Sequence, residues 1–281
     1  MKYKINSRKK INLMSIFWNV IILIFTIFSL FPIVWMFMIS LKNKNQLFST
    51  TFIFNPTIEN YVSVLLYSSY LRYFLNSLIV STAAVLVSFI AGIPIAYALA
   101  RFKFKGKEGI AFDILSLKFA PEILVVIPLF IIFQRIDLYD TYFGLIWVYQ
   151  LICLPLVVWV MRGYFEDIPI EIEEAAKVDG CSTIQTFFVV ALPLVKTGMV
   201  AAGLLSFIFC WNAFTFPLLL AGFRLQTVTT TITRYVSANT LEYGKMAAAA
   251  TISALPAIFF ALLIQKHLVR GLSFGAVKGQ G

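Results

Sequence analysis

Charge is scarce in this chain. Of its 281 residues only 13% are Asp, Glu, Lys or Arg, there is one histidine, and there are three cysteines. Each shortage excludes something. Cys153, Cys181 and Cys210 lie in apolar or loop settings without metal-ligand spacing, and an odd count gives no disulfide framework, so they read as packing residues and no metal site is expected. His267 stands beside Lys266 with no matching nucleophile, which excludes a nucleophile–base pair and leaves it as an interfacial residue. The phosphate loop G-x-x-x-x-G-K-[ST] is also missing: Gly106-Lys107 is preceded five positions earlier by Arg101, and Gly244-Lys245 by Asn239. A chain without these groups reads as a non-enzyme.

Apolar surface, by contrast, is abundant. Hydrophobic residues make up 60% of the chain and aromatics 16%, and the mean hydropathy is +0.88, well above ordinary soluble domains. Six stretches are near or above the roughly 20 residues needed to cross about 30 Å of hydrocarbon: Ile16–Ile39, Leu75–Ala100, Ile110–Phe133, Phe143–Met161, Gly198–Phe223 and Met246–Gln265. Only the third carries charges. The expected fold is an all-α membrane protein with six transmembrane helices. Lys2, Lys4, Arg8, Lys9 and Lys10 precede the first, but its apolar run is too long for a signal peptide and no small-residue cleavage site follows before Lys42, so this helix is expected to be retained. The organisation read from these boundaries is a basic N-terminus (1–15), a first helix (16–39), an external loop (40–74), a core of five helices (75–270) containing a long loop at 162–197, and a tail (271–281).

The net charge of +10 does not indicate nucleic acid, because the cations fall in short segments between apolar runs rather than on one soluble face. They serve as topology signals. Fifteen Lys and Arg lie in the N-terminus, the Arg101–Gly109 loop, the 162–197 loop and the tail, seven lie in the alternate segments, and Lys118 is inside a span. Both termini and the long loop are therefore expected on the cytoplasmic side. Prolines at 32, 94, 121, 128, 155, 217 and 256 fall within the spans, where neighbouring helices tolerate kinks.

Six of the thirteen acidic residues lie between Glu166 and Asp179. Pro169 suits a first helical position, Glu171, Glu173 and Glu174 complement the positive end of a helix dipole, and Ile172, Ala175 and Ala176 share a face. Gly180 is a left-handed stop. Ser182 to Gln185 forms a capping box that opens a second short helix with Phe187, Phe188 and Val190, ended by Leu192-Pro193. This hairpin has an apolar face with nothing in the loop to cover it, and its acids disfavour an anionic headgroup layer, so it is expected to dock on a soluble protein.

The pattern Glu174-Ala175-Ala176, Gly180, Val190 and Leu192-Pro193 resembles the EAA loop of bacterial ABC importer permeases, Val190 standing where isoleucine is usual. Asn55–Leu65, Phe74–Val80, the run from Asp140, Arg162–Pro169, Trp211–Leu218 and Arg270–Gly279 are similar to the sugar-importer permeases of the maltose-type branch, specifically the shorter six-span subunit, from about Ile11 onward. The resemblance implies a multi-pass protein of the cytoplasmic membrane, in contact with lipid and paired with a sister permease subunit as a heterodimer. It also implies two ATPase subunits that carry the ATP and Mg, with no cofactor in this chain, and an external solute-binding protein that delivers sugar. In that family the loop is the coupling helix, which assigns ATPase coupling to Glu173, Glu174, Ala175, Ala176, Asp179, Gly180, Leu192 and Pro193.

Candidates for the substrate path are Asn76, Glu122, Tyr149, Gln150, Trp211 and Asn212, of the types that stack on and hydrogen-bond a sugar; Trp and Asn also serve as interhelical contacts. Asp113, Lys118 and Glu122 are costly charges in a span, and Lys118 with Glu122 is spaced to neutralise itself as an i,i+4 pair. Other readings stay open: a permease for glycerol-phosphate, amino acids, peptides or phosphate; an ion-coupled secondary carrier, for which no internal repeat is visible; and a membrane-embedded enzyme, for which the catalytic groups are missing.

Overall fold

The computed structural model describes residues 13–235 and 242–276, with side chains at the carboxyl end as far as residue 263. The basic residues before Ile16, the side chains of Lys266, His267 and Arg270, and the tail beyond Ala276 lie outside this description. Among the described residues every regular element is helical. Helix α1 (Leu13–Ser40) leads through a 3-10 turn to α2 (Glu59–Leu66) and α3 (Tyr70–Arg101). The chain continues through α4 (Lys107–Ser116), α5 (Glu122–Arg135), α6 (Tyr142–Val148), α7 (Gln150–Glu166) and α8 (Ile170–Val178). The next segment comprises α9 (Thr183–Gln185), a π-helical turn (Thr186–Ala191) and α10 (Leu192–Leu194). Last come α11 (Lys196–Trp211), α12 (Thr215–Leu220), α13 (Val228–Ile232) and α14 (Tyr243–Ala276).

The centre of the molecule is α3 packed on α7, with α11 against both and α14 against α11. Its buried stripe runs Ser77, Ser81, Ala84, Ser88, Gly92 and Ala96, at intervals of three and four residues. Small side chains at helical spacing let backbones approach closely, which is how apolar helices associate where lipid removes the hydrophobic drive. Around the upper part of this stripe Trp211 stacks on Phe207 and meets Phe74 edge-on, and its indole N–H donates to the Ser253 carbonyl at 3.0 Å, joining α3, α11 and α14.

Helix α1 packs on α14 and leaves almost all its apolar side chains uncovered. In water this would be a liability, and in a bilayer it is the surface lipid covers.

Three helices are long and apolar enough to cross a bilayer: Ile16–Ser40, Tyr70–Arg101 and Tyr243–Leu263. Two bent pairs also qualify, Tyr142–Val148 with Gln150–Glu166 at 43°, and Thr183–Leu194 with Lys196–Trp211 at 74°. The expected continuous third span, Ile110–Phe133, is not continuous. Its helix stops at Ser116 and resumes at Glu122, because Pro121 withholds a donor and forces extended backbone at the join. This break also separates Lys118 from Glu122. Instead of pairing with Glu122, the Lys118 ammonium sits 4.4 Å from the centre of the Phe209 ring. The fourth expected span bends at Tyr149, and the fifth is interrupted between Trp211 and Thr215.

Candidate functional site

The long loop leaves α7 at Glu166 and re-enters the bundle at Lys196. Pro169 occupies the N-cap, one residue before the first helical position. Gly180 has φ +92°, a left-handed stop after α8, and Cys181 N–H closes back on the Ala176 carbonyl at 3.0 Å. Ser182 and Gln185 exchange both bonds of a capping box at 2.8 and 3.3 Å. The second arm does not end at Leu192-Pro193: it runs to Leu194 and turns at Val195. A π-helical turn before Pro193 widens the backbone where that residue has no N–H to give.

Glu173 and Glu174 face opposite ways. Glu173 is 2% exposed and points into the bundle. One carboxylate oxygen accepts from the Tyr97 hydroxyl at 2.7 Å and the other from Arg101 Nε at 2.7 Å, while a second Arg101 nitrogen donates to the Ile168 carbonyl at 3.0 Å. A buried carboxylate is tolerable only when both its oxygens are engaged by such donors. Around it the Tyr97 ring meets Phe165 and Phe187, with centroids 5.2 and 4.9 Å away. The two arms of the loop are thereby moored to the carboxyl ends of α3 and α7. A further tie lies at the start of α11, where Gly198 is pressed against Tyr164: a Cβ there would stand 2.5 Å from the ring.

The opposite side is bare. Ile172, Glu174, Ala175, Asp179, Gly180 and Pro193 are exposed, and Ala176 and Leu192 are half-buried. Val178 is 88% exposed, Ile184 71% and Phe188 59%. One face of the hairpin is thus spent on internal contacts, and the other leaves apolar and acidic groups exposed among the described residues. Tyr97, Arg101, Tyr164 and Gly198 were not singled out from the sequence. The available signal was Tyr97 and Arg101 at i,i+4, both on the face of a span that meets the loop.

The substrate-path candidates fare differently. Asn76 is buried, donates to the carbonyls of Arg224 and Gln226 at 3.1 and 3.0 Å and accepts from the Tyr142 hydroxyl at 2.6 Å. Gln150 accepts from the Ser88 hydroxyl at 2.6 Å and donates to the Ala84 and Ile146 carbonyls. Tyr149 and Trp211 are members of one buried core. Asn212 is exposed but donates back to the Ile208 carbonyl, and Glu122 is exposed on the far side of the α4–α5 break. Four of the six are therefore occupied in holding helices together. At the end of α3 away from the loop, Arg72, Asn76, Asp140, Tyr142 and Arg224 line a cavity of about 470 Å³. The Asp140 carboxylate there accepts the backbone N–H groups of Gly222, Arg224 and Leu225 at 2.9–3.1 Å.

Apolar helices with broken and bent spans carry a helical hairpin moored to the bundle through Glu173. A bacterial ABC transporter involved in the import of the acidic polysaccharide alginate has the same fold: TM-score 0.77 over 95% of this chain and 99% of that one, at 24% sequence identity. The chain belongs to the family of binding-protein-dependent transport system inner membrane components, whose pattern matches residues 92–274. It is 33% identical over 267 residues to the trehalose transport system permease protein SugB of Mycobacterium tuberculosis, covering 94% of this chain and 97% of that protein. Identity is also 33% over 266 residues to the trehalose/maltose transport system permease protein MalG of Thermococcus litoralis, covering 92% and 95%. With the diacetylchitobiose uptake system permease protein DasC of Streptomyces coelicolor it is 30% over 267 residues, covering 93% and 96%. It is a multi-pass membrane permease of the ABC importer type.

Proposed function

We propose that this chain is the shorter permease subunit of an ATP-driven sugar importer in the bacterial cytoplasmic membrane. It forms half of the path beside a sister permease and takes its motion from two separate ATPase subunits through the 162–197 loop. The observation that carries this reading is the two-faced hairpin: Glu173, Tyr97 and Arg101 fix one side to the bundle, while Ala175, Ala176 and the exposed apolar residues around Gly180 are left for a partner. A chain with no phosphate loop needs such a partner to use ATP, and the ATP and its Mg belong on that subunit. The sugar assignment is supported by the trehalose, maltose and chitobiose systems named among the relatives.

In this reading α4 and α5 together make a sixth, broken crossing, both termini and the loop face the cytoplasm, and an external binding protein delivers the solute. Closure of the ATPase pair drives the loops together and the kinked spans swing between inward- and outward-open states. The loop then transmits about 1–3 kcal/mol of differential binding, the usual scale of coupling between sites. The test is reconstitution in vesicles with the sister permease, the ATPase and the external receptor. ATP-dependent accumulation of trehalose, maltose or a chitobiose-like disaccharide is expected, and a complex that purifies without any nucleotide-hydrolysing subunit overturns the proposal.

A further inference from the structure

Two buried thiols meet where the two helices flanking the loop touch. Cys153 lies one turn beyond the bend at Tyr149, on α7, and Cys210 is the penultimate residue of α11. They are 0% and 1% exposed, and their sulfurs are 2.7 Å apart. Non-bonded heavy atoms rest at about 3.5–4.0 Å, and a disulfide closes to about 2.05 Å. The two sulfurs are in direct contact, with no other atom between them. The pair shares one buried core with Val148, Tyr149, Phe207 and Trp211, and the Ser206 carbonyl lies 4.0 Å from the Cys153 sulfur. An odd number of cysteines pointed to packing alone; the tertiary structure selects two of the three and leaves Cys181 half-buried in the loop.

We propose that Cys153 and Cys210 are an oxidation site that closes to a disulfide, stapling α7 to α11. Burial keeps out protein oxidants, so the oxidant is a small neutral peroxide. One thiol sulfur attacks a peroxide oxygen, the O–O bond breaks, and water leaves with the thiol's proton, giving a sulfenic acid. The second sulfur attacks the first, the S–O bond breaks, and a second water carries away the second proton. Two electrons pass from the sulfurs to the peroxide oxygens, one S–S bond forms, and two waters are released. Burial restricts the peroxide's access and makes the first step slow, whereas contact makes the second effectively intramolecular and fast.

The staple joins helices already held at their other end, where Gly198 fits against Tyr164. It therefore ties parts of one rigid lever, α7–loop–α11, and leaves transport intact while raising thermal stability by restricting the unfolded chain. This part rests on the proposed function; the chemistry of the pair does not.

The experiment uses the full chain carrying Cys181→Ala in lipid vesicles, treated with hydrogen peroxide, denatured, and exposed to maleimide before and after reduction. No label before reduction, two labels after it, and a linked peptide pair containing residues 153 and 210 are expected, with the link absent in Cys153→Ser and in Cys210→Ser. Two free thiols after peroxide, or sulfinic acids without the link, overturn the site. In the reconstituted importer, uptake is expected to be unchanged by oxidation, and loss of uptake that a reductant restores overturns the rigid lever. An importer inactive before oxidation would count against the functional reading alone, since the labelling result stands independently of it.

Discussion

Glu173 and Gly180 show how single residues set the loop. The Glu173 carboxylate is buried and held by Tyr97 and Arg101. Removing one partner of a buried pair strands the other and costs about 3–5 kcal/mol. Arg101→Ala is therefore expected to loosen residues 170–178, read as faster amide hydrogen exchange across α8 while α11 stays protected; equal protection in both proteins would contradict the mooring. Gly180 poses a different constraint. Nothing lies within 4 Å of where its Cβ would be, so its substitution meets strain at φ +92° rather than collision. Left-handed backbone costs about 1–2 kcal/mol for an ordinary L-residue, and asparagine tolerates it best. Uptake is expected to rank Gly180 above Gly180→Asn above Gly180→Val, with ATP hydrolysis outlasting uptake. A Val variant as active as the parent would remove the left-handed stop from the account. Lys42 adds a residue of another kind. One of the seven cations of the alternate segments, it is buried, donating to the carbonyls of Ser49 and Thr51 at 2.7 and 3.1 Å beside the rings of Trp35 and Phe54.

At the scale of elements, the hairpin separates stability from coupling by its two faces. Ala175 is exposed on the free face. Ala175→Arg is expected to insert and melt like the parent but to lose most sugar uptake while the partner still hydrolyses ATP; uptake at the parental rate would show that this face is not gripped. The α7–α11 contact is the converse. With Tyr164 only 2.5 Å from a Cβ at Gly198, Gly198→Ala must push the helices apart, destabilising the fold by the usual cost of overpacking, about 1–3 kcal/mol, and so lowering the melting temperature. Adding Tyr164→Ala should recover part of the loss, and a double variant no better than the single one would place the clash elsewhere. The composition of this hairpin was legible early, because capping boxes and glycine stops are local and need only neighbouring residues. Its inward face was not, since Glu173 and Glu174 are adjacent acids that only the position of Arg101, 72 residues before Glu173, tells apart.

For the whole molecule, orientation is the decisive property. Cys153 and Cys210 are buried in the bundle, so Cys181 in the loop is the thiol a water-soluble reagent can reach. A membrane-impermeant maleimide is expected to label it in inside-out vesicles and not in intact cells. Labelling from outside the cell would invert the topology and with it the proposed docking of the ATPase.

The sequence alone determined that this chain lives in lipid, that its fold is helical, and that one acidic hairpin with alanines and a glycine stop is its distinctive feature. Hydropathy, charge asymmetry and capping act over a few residues or sum over the chain, so they survive without coordinates. Only the tertiary structure decided that Pro121 severs a span, that Asn76, Gln150 and Trp211 are committed to helix contacts, that Glu173 anchors inward, and that two cysteines meet. Each of these depends on which distant helix lies opposite, and packing, not local preference, sets that.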